Sequence, residues 1–378
     1  MYLSALLIIV FSGFYLYGMK IDPIYIAFLL GVFLLYPKAM SNKKLKLKLE
    51  LLPIYVFIGY IIITQYLILS NYTKPVINVL LALAYYIVTF RTIEHLNYKK
   101  ISRISRIFIN ASIIILMVEA IYRWLHPVDL VENISRGAYI YRYKISSIMY
   151  QDSNFVGIYI VVLFFYCIYL RKYFEEKYRI HLIILFVLCL LTLSKASIVT
   201  IILFWIIFGM DISKINKIVL LILLGGTAGI WFLKMIIQDD SLMARYALFY
   251  YTGKYFKSAS IFNQIIGVGF GNAKYYMNIG AHSIFIVFLV EAGIIGLVAL
   301  LFLWVHIIKK SKGQALIVLL PFSLNALALS GHSITFLYCV LAIICILSKD
   351  SQKYFVMCHE DKKHYKKIVI KGHSWVKN

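Results

Sequence analysis

Apolar runs long enough to cross a bilayer recur along almost the whole chain, and this leaves it few ways to fold. A helix needs about 20 apolar residues to cross a hydrocarbon layer of roughly 30 Å, and its backbone groups must be paired within the segment. Hydrophobic residues make up 62% of the 378, and mean hydropathy is +0.84. A soluble domain is nearer half apolar. The expected fold class is therefore all-α, a polytopic transmembrane helical bundle with about twelve spans and no sizeable soluble domain. The spans are expected at 1–19, 23–37, 51–70, 74–93, 107–124, 154–170, 181–194, 196–210, 218–234, 283–308, 314–330 and 334–347. The first apolar run, Tyr2 to Tyr17, has no basic start and leads straight into the second. It reads as a span and not as a cleaved signal peptide.

The formal charge of +23 would suggest nucleic acid in a soluble protein. No basic domain exists to carry such binding, so no nucleic-acid partner is expected. The cations fall instead in alternate connections: Lys38 to Lys48, Lys99 to Arg106, Arg171 to Arg179, Lys214 and Lys217, Lys309 to Lys312, and the basic tail 348–378. With the N-terminus on their side, all of them share one face, and the positive-inside rule makes it cytoplasmic. Both termini are then inside. The five cysteines have no metal-ligand spacing and do not sit in a long outside loop, so neither a metal nor a disulfide is expected.

Two outside connections are long, loop A at 125–153 and loop B at 235–281. Segments of this length are functional or disordered, and the Tyr, Phe and Ile throughout these two argue against disorder. Loop B begins with Asp239, Asp240 and Ser241, a helix-start pattern, and Leu242 to Phe256 reads as an aromatic amphipathic helix on the membrane surface. Arg245 in its first turn either touches lipid phosphate or clamps a phosphate group of a substrate. Gly267-Val268-Gly269-Phe270-Gly271-Asn272 allows a tight backbone but is not a dinucleotide fingerprint, because the third glycine is misplaced. His282 precedes the next span, as a helix-cap histidine or a proton acceptor. Glu291, nine residues on, is roughly 13 Å deeper and on the opposite face, so it reads as a buried structural residue.

Elsewhere, Lys195 sits at an outer helix turn, where it snorkels or binds an anion. Arg136, Arg142 and Asp152 lie in loop A, with Asp152 placed to cap the following helix. Arg91, Glu119 and Arg123 are in or at the ends of spans and have no evident partner in the sequence.

The ordered set of motifs resembles the O-antigen polymerase and O-antigen ligase family of bacterial membrane glycosyltransferases. It comprises Asp152-Ser153-Asn154-Phe155-Val156-Gly157, Ser194-Lys195-Ala196-Ser197, Arg245, the Gly267 to Asn272 turn, and His282-Ser283 followed by Glu291-Ala292-Gly293-Ile294-Ile295-Gly296. The resemblance covers roughly the C-terminal 230 residues by motif and the whole chain by topology. It implies an enzyme that transfers glycans from undecaprenyl diphosphate on the outer face of the bacterial cytoplasmic membrane, without cofactor. By resemblance, Arg245 holds the diphosphate and His282 lies at the reaction centre. Lys195 stands where the family has arginine; it keeps the charge and loses the planar fork. Arg136, Arg142 and Asp152 are candidate substrate contacts. A chain-length regulator and a flippase are the partners the resemblance implies, besides the lipid-linked oligosaccharide and membrane lipid.

The residue types suit this chemistry. A leaving diphosphate develops negative charge that fixed cations stabilise, and an acceptor hydroxyl needs orientation and a base. The expected activity is polymerisation of O-antigen or capsular polysaccharide. The alternatives are a ligase that moves glycan to lipid A-core and a flippase, a transporter that would show paired repeats, broken helices and short loops.

Overall fold

The computed structural model describes residues 1–16, 19, 21–41, 48–68, 73–128, 141–150, 152–210, 213, 215–220, 222, 240–277, 283–327, 329 and 334–349. The described residues are helical with no β-strand beyond an isolated bridge, Leu16 to Met149. Among the described residues, five helical segments are long and apolar enough to cross a membrane: Leu49–Ile68, Lys74–Ile93, Tyr98–Leu125, Ser153–Phe174 and Gly293–Lys310. The chain is a membrane protein. Shorter apolar helical segments lie at Tyr2–Gly13, Pro23–Leu35, Arg179–Leu191, Lys195–Gly209, Leu316–Ala326 and Thr335–Lys349.

In chain order the helices are α1 (Tyr2–Val10), α2 (Pro23–Ser41), α3 (Leu52–Ile68), α4 (Thr73–Ile93), α5 (Tyr98–Leu125), α6 (Tyr141–Lys144), α7 (Ser153–Phe174), α8 (Arg179–Leu191), α9 (Lys195–Phe204), α10 (215–220), α11 (Asp240–Ser258), α12 (Ile261–Ile266), α13 (Ala273–Met277), α14 (Ile284–Glu291), α15 (Gly293–Lys310), α16 (Leu316–Ala326) and α17 (Thr335–Lys349). A π-helical turn, Trp205–Gly209, extends α9. Most of the expected span at 218–234, and the tail beyond Lys349, lie outside the described residues.

Helix α7 is the centre of the bundle. From Val156 to Leu170 every side chain is buried, as a helix that is apolar all round should be when protein surrounds it. Residues 335–347 of α17 are buried throughout in the same way. The polar groups on α7 find partners on its antiparallel neighbour α5. Tyr159 Oη pairs with Ser112 Oγ at 2.6 Å, and Tyr166 Oη with Ser105 Oγ at 2.6 Å. Both pairs repeat at seven-residue spacing, the period of a supercoiled seam. Each tyrosine reaches across to a serine, so neither hydroxyl is left unpaired.

Described parts of several basic segments, Lys48, Arg106, Lys310 and Lys349, make ion pairs at one end of the bundle. Glu50 binds Lys310 Nζ at 2.8 Å and Lys349 Nζ at 3.3 Å, and Lys48 pairs with Glu94. Lys310 also lies over the Phe90 ring, 3.9 Å from its centroid. Arg106 pairs with Glu176 at 3.1 Å.

Three expectations are corrected. Helix α1 stops at Val10, not near residue 19, and a 3₁₀ turn, Phe11–Gly13, follows it. Side chains take over the released carbonyls: Thr335 Oγ1 donates to Ser12 O, and Tyr150 Oη donates to Gly13 O at 2.8 Å. Helix α5 begins at Tyr98, not at 107, because Asn97 caps it by accepting from Lys100 N at 3.1 Å. Its cations ride on helical turns, so that stretch is no loop. Loop B carries the helix expected at 242–256, as α11, followed by the short helices α12 and α13 on either side of the glycine turn. Finally, the span expected at 283–308 is two helices, broken at Ala292.

Arg123 and Glu119 also acquire partners. They stand four residues apart on α5, and Arg123 Nε donates to Glu119 Oε1 at 2.9 Å. Arg123 Nη1 donates to the Leu191 carbonyl at the end of α8, at 2.8 Å. The two side chains are 0% and 1% exposed, so the pair ties α5 to the α8–α9 corner from inside. A buried charge left alone costs several kcal/mol, whereas an apolar pair of similar volume is often tolerated. Arg123→Met and Glu119→Leu should each destabilise the purified protein by about 3–5 kcal/mol. The double variant should recover much of the loss of apparent Tm in detergent.

Candidate functional site

Two of the sequence motifs meet at the end of the bundle away from the basic cluster. Asp152 is the N-cap of α7, its Oδ1 accepting from Asn154 N at 2.8 Å. Of the two readings of Asp152, the cap is the one seen. The next residue, Ser153, donates through Oγ to the Thr192 carbonyl at 2.8 Å. That carbonyl belongs to the tight α8–α9 corner, where Leu193 has a φ of 57°, in the left-handed region that an ordinary side chain enters at a cost. The corner is held from several sides. Ser194 N donates to Thr192 Oγ1 at 3.2 Å, and Ser194 Oγ lies 3.0 Å from Ser197 Oγ. Asn325 Nδ2, from α16, donates to Ser197 Oγ at 2.9 Å. Gly157 closes the contact: a Cβ there would overlap the Ser197 hydroxyl.

This corner presents Lys195 as the first residue of α9, and the side chain is exposed. A cation in the first turn opposes the helix dipole, and no acidic residue stands there to offset it. Ser194, at the N-cap, makes no side-chain cap bond to the helix. A lysine beside the uncapped amides of a helix start is suited to an anion. Arg142 lies on α6, which folds back over the end of α5: the Trp124 and Tyr143 rings are 4.6 Å apart, and Val128 N donates to the Arg142 carbonyl at 3.0 Å. The Arg142 side chain is partly buried.

The other two motifs form a second contact. Gly267, Gly269 and Gly271 have φ near +90°, and the turn they make packs against the break between α14 and α15. Val268 N donates to Val290 O at 3.0 Å and Gly269 N to Glu291 O at 2.9 Å. The carbonyls released by the helix break thus pair the amides of the turn. The Glu291 carboxylate accepts from Ala273 N at 3.2 Å, at the start of α13. It is the buried, hydrogen-bonded structural residue expected. Helix α3 brackets the turn, with Tyr60 Oη donating to the Ala292 carbonyl and Gln65 Oε1 accepting from Phe270 N at 3.3 Å. Tyr60 is eight residues before the end of α3, about 12 Å along its axis. Loop B therefore packs against α3 well before that helix ends. Helix α11 covers it through a small apolar cluster that includes Leu248, Tyr255, Met277 and Val290.

Arg245 falls in α11, where the backbone is helical as expected; its side chain, Arg136 and His282 lie outside the described residues. Among the described residues, no group of three His, Cys, Asp or Glu side chains comes together. The partnership of Arg123 with Glu119 was missed in the sequence, although their i, i+4 spacing was a signal for it. The parts played by Asn325, Tyr60 and Gln65 had no local signal, since each acts on a segment more than a hundred residues away. No known family profile matches the chain, and no curated protein matches it.

The second contact makes a sharp prediction about glycine. Gly267 has φ +91°, and a Cβ there would overlap the Glu291 backbone, whereas Gly253 on α11 has open space around it. Gly267→Ala should destabilise the protein by at least about 2 kcal/mol. Gly253→Ala should leave it unchanged or stabilise it by up to about 1 kcal/mol. Apparent melting of the two purified variants, measured side by side, checks this.

Proposed function

We propose that this chain is a membrane glycosyltransferase of the polysaccharide-polymerase type. It would have about twelve spans, both termini in the cytoplasm, and loops A and B on the outer face of the bacterial cytoplasmic membrane. The observation that carries the reading is the packing of Asp152–Gly157 onto Ser194–Ser197, which sets exposed Lys195 at the start of α9. The second motif contact, between the glycine turn and the α14–α15 break, supports it by giving loop B a fixed seat.

In the proposed reaction the bond between the donor sugar's anomeric carbon and the diphosphate breaks. A hydroxyl of the acceptor repeat unit forms the new glycosidic bond to that carbon. The hydroxyl proton passes to His282, and undecaprenyl diphosphate departs with the bonding electron pair. Lys195 and Arg245 hold the growing charge on the diphosphate, where fixed cations are worth most. Arg136 and Arg142 are specificity contacts with the glycan. The activated donor supplies the driving force, so the scheme uses no nucleotide and no metal. A chain-length regulator and a flippase would work beside it.

One observation favours a second reading. A broken helix is a transporter feature, and α14–α15 is broken at Ala292 against the non-helical glycine turn. The three helices of loop B fit an enzyme better than a transporter with short connections. A ligase shares the same chemistry.

A surface-polysaccharide gel separates the three readings. Deletion should leave single repeat units on the core. Wild type should restore the ladder, while Arg245→Ala and His282→Ala, present in the membrane at normal level, should not. Bare core in the deletion would identify a ligase. An unchanged ladder in the deletion, or in both variants, would contradict the polymerase.

A further inference from the structure

The turn between α7 and α8, at the basic end of the bundle, encloses a surface cleft of about 560 Å³ lined by Arg171, Glu175, Glu176, Lys177, Arg179 and Ile180. The mechanism above makes no use of it. Glu176 is engaged elsewhere: it accepts from Ser102 Oγ, from Tyr98 Oη at 3.2 Å and from Arg106 Nη2 at 3.1 Å. With Glu176 neutralised by Arg106, Arg171, Lys177 and Arg179 outnumber Glu175, and the cleft is cationic. Glu175 itself turns the chain with a φ of 54°, bringing the cations of two helix ends around one hollow.

Directly along α8 from this cleft runs an outward apolar stripe. Ile180 is 71% exposed, Ile183 65% and Val187 48%. Their i, i+3, i+7 spacing puts them on one face of the helix. A cationic hollow at the membrane surface that continues into an apolar stripe matches a molecule with an anionic head and hydrocarbon tails.

We propose that this cleft binds the headgroup of an anionic phospholipid, with its acyl chains lying along Ile180, Ile183 and Val187. Headgroup phosphate is held by Arg171, Lys177 and Arg179, of which the two arginines can grip it bidentately. The stripe adds hydrocarbon contact that a free phosphate ion cannot make. The proposal requires only that the chain sits in a membrane and is independent of the glycosyltransferase reading.

Binding of dioctanoyl phosphatidylglycerol, dioctanoyl phosphatidylcholine and inorganic phosphate to the delipidated full-length protein tests it. The anionic lipid should bind at least about tenfold tighter than the zwitterionic one, and millimolar phosphate should not displace it. Arg171→Gln/Lys177→Gln/Arg179→Gln should abolish the preference. Lys254→Gln/Lys257→Gln/Lys274→Gln, which removes as many cations from another surface, should preserve it. Ile183→Asn should weaken both lipids alike and keep the preference. Equal binding of the two lipids by wild type, or a preference that survives the first triple variant, would overturn the proposal. Displacement by phosphate as effective as by lipid would show a site for the free ion and overturn it too.

Discussion

A backbone amide or carbonyl that faces hydrocarbon without a partner costs several kcal/mol, and the rest of this structure depends on how that constraint is met in loop B. The loop's glycine turn is non-helical, buried from Gly267 to Phe270 and packed beside α3, and its amides find their partners within the protein. They can do so because α14 and α15 part at Ala292 and Gly293. The carbonyls of Val290 and Glu291 then accept from Val268 and Gly269. The break and the turn satisfy each other, and neither would be stable alone. Gly267 and Gly293 are each too close to the other segment's backbone for a side chain. Glu291 adds its carboxylate to the start of α13.

The same economy governs the other end of the candidate site. At the α8–α9 corner the chain reverses with a strained Leu193, and every neighbouring element contributes one contact to hold it: Ser153 from α7, Asn325 from α16 and the buried Arg123 from α5. The exposed product of these contacts is Lys195. A cation beside the amides of a helix start is of the kind that suits an anion. That is the arrangement a leaving diphosphate requires, and it links the packing to the proposed chemistry. The cationic cleft between α7 and α8 lies at the opposite end, and the adjoining apolar stripe is why it is proposed to take lipid and not substrate.

Much of this was legible in the sequence because the bilayer imposes length and polarity so strictly. The helices at 52–68, 73–93 and 153–174 fall within a few residues of the apolar runs, and Asp152 caps α7 as its position before the run suggested. The errors have physical causes. The early start of α5 was hidden because Lys99, Lys100, Arg103 and Arg106 look like loop residues, yet charged residues are stable on helical turns that project into water. The short α1 was hidden because apolar composition does not reveal that Tyr150 and Thr335 will take up the carbonyls of the 3₁₀ turn that follows it. The division at Ala292 was hidden because the glycines that permit it, Gly267 and Gly293, are 26 residues apart, and only the fold shows that they meet.

The most direct test of the central claim is bond formation by the isolated protein. Purified chain in liposomes, supplied with the lipid-linked repeat unit extracted from producing cells and with a chelator present, should form products longer than one unit. It should release undecaprenyl diphosphate in step with each bond made. If the repeat units cross the bilayer but no glycosidic bond forms, the broken helix belongs to a transporter and the account of the site is wrong.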